Sequence, residues 1–412
     1  MTSDERDSLD GLGSIAQKLN EMLDALPGPV KNAAKKEIRE LVSLVGDRRR
    51  PRVMVIGRRG AGKSSLINAL CGAPMRPVGA VSPQTGEATW ETLGFGNRQI
   101  EILDTRGAQE ASKPVETDAA DSAFDSIRLA LSKKCPDVIL FLAKAKEVGA
   151  AVDADLGFLD EIHRLVVSMG DVDEVKIVPV VTQCDELDPS DLDFSDPDKM
   201  KHVQEACAVL DRHLRSRPYV QPHLASSALP TSAKMFFHDE QINPRRDYRW
   251  NIDKLSEIIM DVIPNETRLE YVRVAQFQKI QTKLARKIVT VHAGICGAVG
   301  STPIPLADLP IITGFQLSMV MAIAYISGRE ISRKTASEFL VAMGVNVGVG
   351  AIFRESARAL AKLIPAAGNV VSGFVAATGT KAVGEAAILY FINQSSGGDV
   401  KRQLQAKLKE II

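Results

Sequence analysis

Hydrophobic positions along this 412-residue chain change their period more than once. From Arg52 to about Pro264, short apolar runs alternate with helical spacing. "RVMVIG" (52–57) is a β-branched run that ends at glycine. "ATWETLGF" (88–95) and "RQIEILD" (98–104) predict a hairpin pair. "DVILFLA" (137–143) and "VKIVPVV" (175–181) are near-continuous apolar runs. Such runs suit strands covered by helices on both faces. Helical spacing predicts helices over 63–71, 119–133, 153–169, 197–216 and 251–262. Strands and helices in alternation predict a doubly wound, mostly parallel α/β domain.

The flanks follow a different pattern. Residues 1–9 read as disordered, and 11–26 and 30–46 as helices broken by Pro27-Gly28-Pro29. Ile38, Leu41, Val42 and Val45 form one stripe, which needs a partner surface because a short amphipathic helix is not stable alone. After Pro264, residues 265–287 are polar and helical, whereas 288–307 and 309–328 contain no Asp, Glu, Lys or Arg. Asp308 stands between them, and shorter charge-free stretches follow at 339–353 and 363–380. The expected organisation is an N-terminal helical segment (1–50) packing on a C-terminal helical bundle (265–412), with the α/β domain (51–264) between them.

Composition narrows the function classes. Hydrophobic residues make up 45% and charged residues 25%, enough for a large core. The 51 basic side chains balance 51 acidic ones, so a general nucleic-acid binder is not expected. The cysteines (71, 135, 184, 207, 296) show no metal-ligand spacing and read as scattered reduced thiols. The acidic, polar start MTSDERDSLD does not resemble a signal peptide. The expected location is cytoplasmic, with peripheral attachment to a membrane as the variant.

Gly57-Arg58-Arg59-Gly60-Ala61-Gly62-Lys63-Ser64 carries the most specific chemistry. It matches GxxxxGK[ST] between a predicted strand and a predicted helix, the context that pattern requires. Glycines let backbone N–H groups of 57–65, through Ser65, approach a polyphosphate, and the helix N-terminus favours the anion. Lys63 reaches the β- and γ-phosphates, and the Ser64 hydroxyl can ligate Mg²⁺. Asp104-Thr105-Arg106-Gly107 fits DxxG at a strand end. Its Asp would reach Mg²⁺ through water, and the Gly107 N–H would sense the γ-phosphate. Thr85 in "VSPQTGEAT" is the expected switch threonine for metal and γ-phosphate, ahead of Thr89, which lies at a strand start.

Thr182-Gln183-Cys184-Asp185 occupies the place of an NKxD base-recognition motif. A carboxylate at Asp185 can accept the N1–H and exocyclic amino hydrogens of guanine, which adenine does not present there. The Gln183 stem can cover the base without adding charge. Ser232-Ala233 resembles the SA motif whose backbone contacts guanine O6, and Ser227-Ala228 competes with it. The expected ligands are therefore GTP or GDP with Mg²⁺.

In this order the elements resemble the translation-factor-related GTPases, in particular the Era-like branch, over residues 52–264. The flanking helices are similar in layout to immunity-related GTPases, whose N- and C-terminal helices pack together beside the G domain. "STPIPLADLPIITGFQLSMVMAIAYISGRE" (301–330) resembles an uncharacterised helical domain that follows such G domains in bacterial proteins. Ras-like enzymes place a water-orienting Gln just after DxxG, where this chain has Ala108. Some Era-like relatives hold potassium with a loop Asn, where this chain has Gly60. The resemblance thus implies hydrolysis that lacks its usual helper.

Arg58, Arg59 and Arg106 are the candidates for the missing charge, in cis or across a GTP-dependent homodimer of G domains. The alternative is that each is solvated or paired with a carboxylate. The apolar stretches 288–328 read as buried core helices of a soluble bundle, as a bundle that docks on membrane, or as a transmembrane hairpin about Asp308. Three functions follow. One is a GTPase switch at a membrane, the second a GTPase binding a protein partner, and the third a nucleotide-binding scaffold with negligible turnover.

Overall fold

A computed structural model describes residues 20–21, 23–77, 88–104, 123–149, 152–169, 175–301, 308–329 and 368–395. It divides into two compact units, Arg50–Pro264 and Met1–Arg49 with Asn265–Ile412.

The first unit is a mostly parallel sheet wrapped by helices. Its strands are β1 (Arg52–Ile56), β2 (Arg76–Pro77), β3 (Trp90–Phe95), β4 (Arg98–Asp104), β5 (Val138–Lys144), β6 (Lys176–Thr182) and β7 (Leu229–Pro230), in the spatial order β2-β3-β4-β1-β5-β6-β7. β4, β1, β5, β6 and β7 run parallel, and β3 forms the antiparallel hairpin with β4 that the pattern predicted. β5 is buried from Val138 to Ala143 because helices cover both of its faces, hence the unbroken apolar run. The helices are α3 (Lys63–Cys71), α4 (Ala123–Lys133), α5 (Val152–Ser168), α6 (Pro197–Arg215) and α7 (Ile252–Val262). Asp196 starts α6 by accepting from the Asp198 and Lys199 amides at 2.9 and 3.1 Å, with Pro197 in the first turn.

One element escaped the pattern. β8 (Met235–His238) and β9 (Gln241–Asp247) pair as a separate two-stranded hairpin between β7 and α7. Its residues are half-buried or exposed, and Pro244 interrupts β9, so no apolar period marks it.

In the second unit, α1 (Gly28–Ala33) and α2 (Lys35–Leu41, continuing as a π-helical turn to Gly46) precede the sheet in sequence. The expected break is present, with helical residues ending at Asp24 and α1 starting at Gly28 after Pro27, and a second bend follows. Pro29 is tolerated in the first turn of α1, and the chain bends at Ala34, with φ −105° and ψ 20°. The remaining helices are α8 (Asn265–Ala275), α9 (Gln278–Gly300), α10 (Asp308–Ile326) and α11 (Gly368–Ala387, ending in a π-helical turn to Ile392). The first charge-free stretch is therefore the second half of a 23-residue helix that begins with Lys279, Lys283, Arg286 and Lys287, so that helix opens ten residues before the apolar boundary at 288. Among the described residues, one helical stretch has the length and hydropathy of a membrane span, and it is Gly373–Ile392 rather than 288–328.

α1 and α2 pack within this second unit. Glu40 pairs with Lys287 at 2.7 Å, and Arg48 pairs with Glu270 at 3.0 Å. Glu270 also accepts from the Tyr325 hydroxyl at 2.7 Å. α9 and α11 approach closely through glycines. A side chain at Gly384 would meet the buried, β-branched Val289, whose Cγ1 lies 2.7 Å from the position of a Cβ. Helix propensity alone would favour Gly384→Ala by about 1 kcal/mol. The overlap outweighs it, and we expect a net loss of about 1–3 kcal/mol. Thermal unfolding should show a lower midpoint for this variant, and an unchanged or raised midpoint would contradict the packing.

Candidate nucleotide site

β1 delivers the chain to the C-terminal edge of the sheet, and α3 carries it away. Between them, Gly57 to Gly62 must turn sharply without bulk. A Cβ at Gly57 would sit 2.9 Å from the Leu142 carbonyl oxygen, so the loop can lie against β5 only with glycine there. Gly62 starts α3 at φ 80°, a left-handed conformation.

The carbonyl oxygens of this loop are taken by the lysine that follows it and by two side chains at the end of β6. Lys63 Nζ donates to the Gly57 and Arg58 carbonyls at 2.6 and 3.1 Å. Gln183 Nε2 donates to the Gly60 carbonyl at 2.7 Å, and the buried Thr182 hydroxyl to the Ala61 carbonyl at 3.0 Å. Beside the loop lies a cavity of about 560 Å³, lined by Arg59, Gly60, Gly62, Lys63, Ser64, Ser65 and Gln183. Its volume falls in the usual range for small-ligand sites.

Asp104 ends β4 with a carboxylate oxygen 3.8 Å from Lys63 Nζ. Ser64 and Asp104 are hard oxygen donors, and Mg²⁺ is commonly held by one or two such groups together with phosphate oxygens and water. The residues present therefore fit that ion. Thr85, Arg106, Gly107 and Ala108 lie outside the described residues.

The two loop arginines part company. Arg58 Nε donates to both carboxylate oxygens of Asp155 on α5, each at 2.9 Å. Burial raises the Asp155 pKa, against the pull of the Arg58 guanidinium. Arg58 is thus a paired side chain, which narrows the expectation for it: its charge goes to holding the loop against α5. Arg59 is the one that lines the cavity beside the loop. Lys144, at the end of β5, was not singled out by its sequence. Its ammonium lies 3.3 Å from where a Gly60 Cβ would be and pairs with Glu147 at 2.7 Å.

At the end of β6, Gln183 adopts φ 58° and Asp185 follows in a short 3-10 turn. The fully buried Ser232 donates its hydroxyl to Asp185 Oδ1 at 2.9 Å, and Lys234 Nζ stands 3.7 Å from Oδ2. Ser232 is itself fixed by two backbone hydrogen bonds with Trp250, at 3.1 and 3.0 Å. The competing pair lies elsewhere, with the Ala228 amide bonded to Asp211 on α6 at 2.7 Å. Burial pushes the Cys184 thiol up to about 12, so it stays protonated between its two polar neighbours.

Sequence reasoning also missed Lys199. It sits in the first turn of α6, 1% exposed, and its ammonium donates to the carbonyls of Asp185 (2.9 Å), Leu187 (2.5 Å) and Pro189 (3.1 Å). All three N–H bonds of the ammonium are used, and the loop curls around it. A lysine at the start of a helix opposes the helix dipole, and that misfit was the one signal available in the sequence.

Residues 52–170 match the family described as 50S ribosome-binding GTPase, and residues 266–412 match a domain of unknown function, DUF697. GTPase Der of Leptospira borgpetersenii is 30% identical over 140 residues, covering 33% of this chain and 28% of Der. GTPase Era of Campylobacter hominis is 26% identical over 243 residues, covering 58% of this chain and 77% of Era. The tRNA modification GTPase MnmE of Shewanella halifaxensis is 32% identical over 158 residues, covering 38% of this chain and 32% of MnmE. This chain thus spans less than a third of the length of Der or MnmE. Among solved structures, Toc33 from Arabidopsis thaliana in complex with GDP and Mg²⁺ is similar at a TM-score of 0.32 and 20% identity, covering 58% of this chain and 94% of Toc33. Aquifex aeolicus Era bound to GDP.AlF4⁻ is similar at 0.29 and 18%, covering 62% of this chain and 68% of Era. Residues 52–170 are thus similar to P-loop GTPase domains, with Era, Der and MnmE among the relatives, and residues 266–412 to a domain family without an assigned function.

Lys199→Met keeps the length of the side chain and removes the ammonium. It takes the ammonium away from three part-buried carbonyls, of which that of Pro189 keeps the Leu192 amide at 3.4 Å, at about 1–3 kcal/mol for each group left unsatisfied. We expect weaker guanine-nucleotide binding, by about tenfold or more, in a fluorescent GDP titration. Undiminished affinity would mean that the loop after Asp185 holds its shape without the lysine.

Proposed function

We propose that this protein is a Mg²⁺-dependent GTP-binding and GTP-hydrolysing switch. In this reading the nucleotide state of residues 51–264 controls a helical effector formed by residues 1–50 and 265–412. The observation that carries it is the fixed carboxylate of Asp185, which Ser232 holds at the end of the strand whose Thr182 and Gln183 also fasten the phosphate loop. One stretch of chain thereby sets base recognition and phosphate binding at a fixed spacing.

Gly57, Gly60, Ala61, Gly62, Lys63, Ser64 and Ser65 would hold the phosphates. Gln183, Asp185, Ser232 and Ala233 would hold the guanine. Ser64, Asp104 and Thr85 would hold Mg²⁺, which when bound neutralises charge on the β- and γ-phosphate oxygens. Lys63 and the Gly107 amide would face the γ-phosphate. Ala108 has no group to orient water, so turnover needs another source of positive charge. Arg59, which lines the cavity beside the loop, would supply it, in cis or across a GTP-dependent homodimer. Arg58 would then act by positioning the loop. The charge-free stretches within the helices of the second unit support action at a membrane surface by a protein that is otherwise cytoplasmic.

GTP turnover measured against protein concentration, with and without vesicles, tests this reading. We expect specific activity to rise with concentration. Arg59→Ala should lower it by at least tenfold, within the range of about 10³–10⁵ that a catalytic arginine can supply. Concentration-independent turnover that Arg59→Ala leaves at the parent rate would remove both the dimer and the arginine. GTP binding with no turnover under any condition would leave a nucleotide-binding scaffold.

A further inference from the structure

Four neighbouring strands of the first unit, β4, β1, β5 and β6, run parallel, so all four end at one edge of the sheet. Three of those ends supply the candidate site. β4 ends in Asp104, β1 runs into the glycine-rich loop, and β6 ends in Thr182, just before Gln183 and Asp185. The fourth strand, β5, ends in Lys144. Lys144 lies in register with Thr182. Side chains in register on parallel strands point to the same face of the sheet. The Thr182 hydroxyl reaches the Ala61 carbonyl at 3.0 Å, and the Lys144 ammonium reaches the same loop one residue earlier, at Gly60.

The approach at Gly60 is close. A Cβ there would lie 3.3 Å from Lys144 Nζ and 3.4 Å from its Cε, so the end of the lysine sits where a side chain at position 60 would go. Gly60 also lines the cavity of about 560 Å³, together with Lys63, Ser64 and Ser65. A single residue without a side chain thus stands between this ammonium and the space proposed to hold the phosphates. Lys144 is not a free charge. Arg58, Lys144, Glu147 and Asp155 border one narrow gap behind the loop, two bases and two acids. The two pairs differ in kind. Arg58 donates to both carboxylate oxygens of Asp155, whose side chain is 12% exposed. Lys144 donates to one oxygen of Glu147, three residues further on, and that side chain is 47% exposed. An ion pair that open to water is weak and is screened by salt.

We propose that Lys144 is a further phosphate-binding residue of this site: its ammonium leaves Glu147 when a nucleoside di- or triphosphate binds and donates to a phosphate oxygen beside Gly60. A polyphosphate brings several negative charges against one exposed carboxylate, so the exchange is favourable. The flexible stem and three rotatable donors of lysine let the ammonium change partner while β5 stays in place. A hydrogen bond between two charged groups is among the strong ones. Glycine at position 60 is what leaves room for this, because a side chain there would meet the ammonium and would also strain the left-handed φ of 75°. Glu147 then acts as a competitor of the nucleotide for one cation, which fixes the sign of the effect expected from removing its charge. The inference rests on the nucleotide site proposed above and adds a residue to it.

Titration of the full chain with fluorescent GDP tests this. Lys144→Met should weaken binding about tenfold, the scale of one charge-assisted hydrogen bond. Glu147→Gln should tighten it about threefold, the scale of an exposed ion pair. The double variant should bind like Lys144→Met alone, because the glutamate acts only through the lysine. Lys146→Met, an exposed neighbour, should bind like the parent and controls for net charge. A pair that only braces the loop would instead lose affinity on removal of either partner. That result would overturn the inference. So would Lys144→Met binding like the parent, Glu147→Gln binding no tighter than the parent, or an equal loss from Lys146→Met. Each of these leaves a parent that binds GDP, and with it the nucleotide site. A parent that does not bind GDP would remove that site and this inference together.

Discussion

A loop that offers its amide N–H groups to an anion has to be held by something other than those groups. Here it is held by its carbonyl oxygens. Those of Gly57, Arg58, Gly60 and Ala61 accept from Lys63, Gln183 and Thr182. Two of these donors sit at the end of β6, two strands away from β1. The glycine-rich loop and the turn after β6, proposed to hold the phosphates and the base, are therefore one hydrogen-bonded object, and Asp185 inherits its position from it. The outer supports are Arg58 against Asp155 on one side and Lys199 beneath the 185–189 loop on the other.

This constraint explains how the site departs from the NKxD pattern without losing its form. Thr182 stands in the Asn position and still reaches the Ala61 carbonyl, because a hydroxyl is sufficient as a single donor. Gln183 stands in the Lys position and still caps Gly60, because its amide nitrogen also donates. What is lost is the positive charge that the NKxD pattern has at this position. Lys199 from below and Lys234 from the side place cations near Asp185, one bonded to its carbonyl and the other 3.7 Å from its carboxylate. The loop contacts of Thr182 and Gln183 come from β6 and its end, and the cations near Asp185 come from other elements.

Strands buried on both faces were the most legible elements in the sequence. β1, β5 and β6 lie within a residue of their apolar runs, because burial leaves no room for polar side chains. The helices of the α/β unit followed for the complementary reason, since each has one buried face. β8 and β9 were not legible: the hairpin has no fully buried face, so nothing forces a period of two. The difference between Arg58 and Arg59 was equally invisible. Asp155 lies 97 residues from Arg58, and only the packing of α5 beside the loop brings the two together. Ser232 and Ser227 have similar neighbours in sequence, and the bridge to Trp250 decides which of them faces Asp185.

The central claim is that the fixed carboxylate of Asp185 selects guanine while the phosphate loop supplies most of the affinity. Calorimetric titration of the parent and of Asp185→Asn with GDP, ADP and XDP tests it most directly. The amide reverses the hydrogen-bond pattern at one oxygen while keeping size, so the account predicts tight GDP binding and no ADP binding for the parent. It predicts a preference for XDP over GDP in the variant. Equal binding of GDP and ADP by the parent, or an Asp185→Asn variant that keeps its preference for GDP, would contradict it.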